Sequence, residues 1–98
     1  MADEKLKMDP VKGKELQASL LKLKQELGNI NQQITQAINL AGQTWRDFKY
    51  FNDFKETYRL YQAGITKFEN DLEKVAQVTL PPLIQEAEEI AKMNLTGA

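Results

Sequence analysis

Between residues 10 and 41, apolar side chains recur at Leu16, Leu20, Leu23, Leu27, Ile30, Ile34, Ala37 and Ala41, alternating steps of four and three. On an α-helix this spacing lays one continuous stripe along a single side. A mean step of about 3.5 residues favours left-handed packing against another helix. Leu21 and Ile38 widen the stripe, as a bundle requires and a narrow two-stranded seam does not. A second apolar set follows at Phe48, Phe51, Phe54, Tyr58, Tyr61, Ile65, Phe68, Leu72 and Val75, again settling into four-three steps. All four Phe and all three Tyr residues lie on this second arm. One arm is aliphatic and the other aromatic, and large residues set against small ones interdigitate. The pattern predicts an all-α protein: an antiparallel two-helix hairpin whose unused apolar surface pairs with a second copy to make a four-helix bundle. Leu20, Leu27, Ile34, Phe51, Tyr58 and Ile65 are the expected core and dimer residues.

Local signals set the boundaries of one domain spanning 1–98. Asp9 can cap a helix, and Pro10 fits its first turn, where the missing N–H costs nothing. Gly42 follows the last stripe residue, where a left-handed glycine commonly ends a helix. Thr44 and Asp47 are candidate caps for the second helix. Pro81 and Pro82 interrupt the second arm, because a proline in a helix interior costs about 3 kcal/mol. The expected elements are therefore helix 10–41, turn 42–47, helix 47–79, a kink or break, and a C-terminal helix 82–94 carrying Leu83, Ala87, Ile90, Ala91 and Leu95. Gly28 reads as a tolerated surface glycine. Residues 29–43, rich in Asn and Gln and nearly free of charge, are either a partner surface or a solvated amide face.

Charge agrees with a hairpin. Residues 1–24 hold six Lys and four acids, whereas residues 69–98 hold two Lys and six acids. An antiparallel hairpin brings these ends together, although each exposed pair contributes less than about 1 kcal/mol. With 98 residues the chain buries only a modest core, and association often makes up the difference. A net charge of −1 gives no bulk attraction to nucleic acid or anionic lipid.

Little chemistry is on offer. The chain has no Cys and no His, which removes disulfides, thiolates, the commonest general base and the commonest metal ligand. Glu86, Glu88 and Glu89 form the densest acidic cluster, and a hard-cation site needs several convergent carboxylates; a solvated acidic face is the plainer reading. Ser19 is the only serine, and no glycine-rich phosphate loop is present. Arg46 and Arg59 are the only arginines. They are too few for the Arg/Lys clamp with which helical-dimer chorismate mutases hold a dicarboxylate. Around the aromatic row, Lys49, Lys55, Arg59 and Lys67 are offset by Asp47, Asp53, Glu56 and Glu69, unlike a base-stacking platform. No enzyme activity, cofactor, metal or nucleic acid is expected. The opening Met-Ala-Asp-Glu-Lys-Leu-Lys lacks the apolar run of a secretory signal, and no apolar run approaches the roughly 20 residues that span a bilayer. No transmembrane segment is expected.

The hinge Ala41–Phe48 carries the only tryptophan, Trp45, close to the middle of the chain. With the two arms, this plan resembles the small WXG (Trp-x-Gly, ESAT-like) helical-hairpin family. The matching positions are Trp45, Arg46 and Asp47, a Trp-x-Asp tripeptide as in a divergent branch, followed by an aromatic at Phe54. The resemblance covers nearly the whole chain and implies a homodimer, or a heterodimer with a homologous hairpin. It further implies export by a type VII-like secretion system without a cleaved signal, as substrate or carrier partner of a larger secreted protein, with a secretion ATPase as a further partner. The protein would then be secreted; a cytoplasmic structural or adaptor hairpin is the other reading. The family's usual Tyr-x-x-x-acid export tag is missing, since no acid lies four residues after Tyr50, Tyr58 or Tyr61. An amphipathic substitute for it is Ile84, Glu88, Ala91 and Leu95. The turn-motif expectation is that Asp47 caps the second helix and Trp45 packs across the two helix ends.

Overall fold

The computed structural model describes residues 8–96, all helical apart from the first two residues and one short turn. Helix α1 runs Pro10–Thr44 and helix α2 runs Phe48–Lys74. A single π-helical turn, Val75–Thr79, leads directly into helix α3, Leu80–Thr96. The second arm is thus one bent helical run.

The start of α1 is fixed by Asp9, whose Oδ1 accepts the Val11 N–H at 2.9 Å and the Lys12 N–H at 3.3 Å. These are donors a helix N-terminus leaves unmatched. Its end differs from the left-handed stop expected at Gly42. No described residue has positive φ, and the helix continues through Gly42 to Thr44. A Cβ at Gly42 would stand 3.1 Å from Cζ of Phe51. The glycine therefore admits an aromatic ring and does not turn the chain.

The chain divides into two compact units. The first holds the turn and runs from Leu23 to Asp71. Within it α1 and α2 are antiparallel: Gln62 Nε2 donates to the Asn31 carbonyl at 3.1 Å and to Thr35 Oγ1 at 2.7 Å, while Gly42 meets Phe51. Ile38 and Ala41 are buried, and Leu27, Ile34, Phe51, Tyr58 and Ile65 half-buried. Gly28 is not on the free surface as expected. It is half-buried, and a Cβ there would lie 3.7 Å from Glu69 Oε2.

The second unit combines the chain up to Lys22 with the chain from Leu72 onward. Leu72, Ala76, Leu80, Ile84 and Ala87 form its buried row, and Leu20 is half-buried. Gly13 lets the backbone of α1 come close: a Cβ there would sit 2.9 Å from Ile84 Cγ1 and 2.9 Å from Met8 Sδ. Lys14 Nζ pairs with Glu88 Oε1 at 2.9 Å, an exposed bond of the kind the charge asymmetry anticipates.

The prolines do not break the arm where the sequence suggests. The irregularity lies one turn earlier. In the π-turn the Leu80 N–H reaches back five residues to the Val75 carbonyl. The Ala76 carbonyl would next be served by residue 81, which is proline and has no N–H. Ala76 is fully buried, at 0% exposure, so its oxygen needs a partner from elsewhere. Gln17 supplies it, donating from Nε2 to the Ala76 carbonyl at 2.6 Å. Pro81 and Pro82 are the second and third residues of α3, and because the helical run is continuous there their absent N–H groups are felt by carbonyls of the π-turn.

Candidate protein-interaction surface

The turn is built from both helix ends. Thr44 Oγ1 donates to the Leu40 carbonyl at 2.8 Å, and the Trp45 N–H to the Ala41 carbonyl at 2.9 Å, closing α1. Asp47 Oδ1 accepts the Lys49 N–H at 2.9 Å and so caps α2. Trp45 lies against both helix ends without being covered by them. Its ring remains 41% exposed and meets Phe54 edge-on, with centroids 5.0 Å apart. From there an aromatic ladder climbs α2, Phe54 to Tyr58 at 4.4 Å and Tyr58 to Tyr61 at 5.5 Å. The turn is three residues long, 45–47. On its α1 side Trp45 joins Ala37, Leu40, Ala41 and Thr44 around an open apolar recess of about 190 Å³.

The four-three stripe of α1 splits lengthwise. In the turn-bearing unit Leu27 and Ile34 are half-buried, whereas Leu23, Ile30 and Ala37 are exposed. The helix-to-helix line runs instead through Gly28, Asn31, Thr35 and Ile38 of α1, and through Gln62 and Glu69 of α2. Ile30 and Ala37 each stand one residue before that line, as Tyr61 and Phe68 do on α2. One residue is about 100° of rotation. In an antiparallel pair, equal sequence offsets on the two helices turn both rows to the same side. Leu23, Ile30 and Ala37 therefore share a solvent-facing side of the hairpin with Tyr61 and Phe68, all exposed. In the other unit Leu16 and Val75 are likewise exposed.

Of the residues considered for export, Ile84 is buried against Gly13, Glu88 pairs with Lys14, and Ala91 is half-buried. Leu95 belongs to α3, but its side chain lies outside the described residues. Among the described residues no group of three or more carboxylates is placed to hold a metal ion. No described helix is long and apolar enough to cross a membrane.

Two features escape a reading by periodicity. The Gln17–Ala76 bond depends on a proline five residues past Ala76, one beyond the carbonyl's ordinary α-helical donor, and on a side chain 59 positions away. The Gly13–Ile84 approach has no local mark beyond a glycine within a helical stretch. No family model matches this chain, and neither a curated protein nor a solved structure matches it.

Proposed function

We propose that this protein is a non-enzymatic pairing module: a helical hairpin that homodimerises, or joins a homologous hairpin, into a four-helix bundle. One observation carries the reading. Leu23, Ile30, Ala37, Tyr61 and Phe68 form an apolar side that the chain's own helices leave in water. Contiguous apolar surface of this kind marks an interaction site. Its heptad spacing suits a second pair of helices. Light scattering and sedimentation should give a dimer at micromolar concentration, and Ile30→Asp should return it to monomer with its helicity kept. A monomeric wild type ends the proposal.

The biological setting follows from the WXG-like plan around Trp45 and Asp47: a substrate or carrier partner of a type VII-like secretion system. It is tested by comparing culture supernatants with and without the candidate secretion ATPase. A non-exported adaptor is the second reading. It is favoured by Ile84, which is buried against α1 and not displayed as a tag.

A further inference from the structure

The flank of the hairpin opposite Leu23, Ile30 and Ala37 is built differently. The chain is 28% charged, yet from Leu27 to Trp45 it has no charged residue. Within and beside that stretch, Gln25, Asn29, Gln32, Gln36, Asn39 and Gln43 recur in steps of four and three. Asn29, Gln32, Gln36 and Asn39 each stand one residue after the helix-to-helix line, about 100° of rotation from it and away from the apolar row. On α2, Ala63 and Asn70 stand one residue after Gln62 and Glu69, which turns them to the same side. All of these side chains are exposed. Arg59, one residue after Tyr58, borders the row from α2. None of the six amide side chains on α1 has a hydrogen-bond partner among the described residues.

A row at this spacing can follow a second helix over about 27 Å, whereas hydration alone requires no spacing. Its chemistry selects the partner. A charged surface would meet no counter-charge along it, and an apolar one would strand the amides without hydrogen bonds. A second copy of the same row offers every amide both a donor and an acceptor, and no like charges meet along α1. Two-fold association, which sets one patch against itself, requires this self-complementarity. From this geometry we infer that the amide row Gln25–Gln43 is a second self-association surface, through which two copies, or two of the dimers proposed above, join side by side. It leaves the apolar flank free and does not depend on it.

Sedimentation equilibrium of the full-length chain, from micromolar to millimolar concentration, tests this. Expected is an association step beyond that of the apolar flank, little changed by salt because it joins uncharged groups. The side-chain amide NMR signals of Gln32 and Gln36 should shift with protein concentration across the step. Gln32→Lys with Gln36→Lys sets like charges against each other and should weaken the step at least about tenfold, with unchanged helical circular dichroism. Ile30→Asp, which removes the flank contact, should retain it. A wild type that gains no further mass up to millimolar concentration overturns the inference, and so does a step that the two lysines leave unchanged. A wild type that is monomeric at micromolar concentration and then associates once, in a lysine-sensitive step, would end the flank reading and uphold this one.

Discussion

Replacing Gln17 tests whether the π-turn and the prolines are linked as described. The buried Ala76 oxygen has lost both backbone donors: the Leu80 N–H goes to Val75, and residue 81 has none to offer. Gln17 at 2.6 Å is the partner observed. Gln17→Leu keeps the side chain's bulk and removes the donor, leaving a desolvated acceptor that costs about 1–3 kcal/mol. Gln17→Glu, nearly isosteric, sets oxygen against oxygen and should cost at least as much. For a chain of this size each kcal/mol lowers Tm by about 4–8 °C, well within the reach of thermal and urea unfolding followed by far-UV circular dichroism. The sharper measurement is a cycle with Pro81→Ala, which restores an N–H at residue 81. In that background the Ala76 oxygen regains a backbone donor, and Gln17→Leu should cost less by about 1 kcal/mol or more. Equal costs in the two backgrounds, or a Gln17→Leu variant within about 0.5 kcal/mol of wild type, would refute the reasoning.

Two helical glycines should respond in opposite directions. Gly13→Ala places a methyl 2.9 Å from Ile84 Cγ1 and should lower stability by about 1–3 kcal/mol. Gly64→Ala meets nothing within 4 Å and should raise it by about 1 kcal/mol; denaturant midpoints read both, and a shared sign would disprove the close approach at Gly13. Asp47→Ala should cost about 1 kcal/mol through the lost cap, largely recovered by Asp47→Asn. Trp45→Ala should cost about 1–2 kcal/mol, counting one aromatic contact and a partly exposed ring, against roughly 3–5 kcal/mol for a buried ring; a loss in the upper range would mean the indole is covered in solution.

The periodicity of the chain was enough to place two helical arms, and Asp9 with Pro10 marks the start of α1. The same periodicity could not say which half of a wide stripe would be covered. Leu16, Leu23 and Ile30 look equivalent to Leu20, Leu27 and Ile34 along the chain. The two rows separate only once the polar residues Gln17, Asn31 and Gln62 are seen to lie on the helix-to-helix line. Residues of that type read as solvent-facing unless their cross-chain partners are known. Gly42 misled for a related reason. Glycine serves equally a left-handed stop and a close approach, and only the Phe51 ring distinguishes them. At Trp45 the residue type marks the turn correctly, but burial of the ring depends on its neighbours in space, Phe54 foremost, which a lone tryptophan does not encode. Around Pro81 and Pro82 local propensity identifies the disturbance and misplaces it, because the missing N–H groups leave their unpaired acceptors on residues further back along the chain.

The π-turn also changes how the second arm should be counted. Its hydrogen bond encloses one residue more than an α-helical turn would, so Val75–Thr79 behaves as a helix that has absorbed a single-residue insertion. The buried row accordingly advances in steps of four from Leu72 through Ala76 and Leu80 to Ile84, out of phase with the seven-residue frame that orders Phe51, Tyr58, Ile65 and Leu72. The arm is written in two frames spliced at this turn. A hydrophobic template held to one frame along its length would lose the phase of α3. Removing one residue within Val75–Thr79 should tighten the turn to an ordinary α-helix and leave both flanking faces pointing as they do now. The same deletion a few turns earlier would rotate everything beyond it by about 100°.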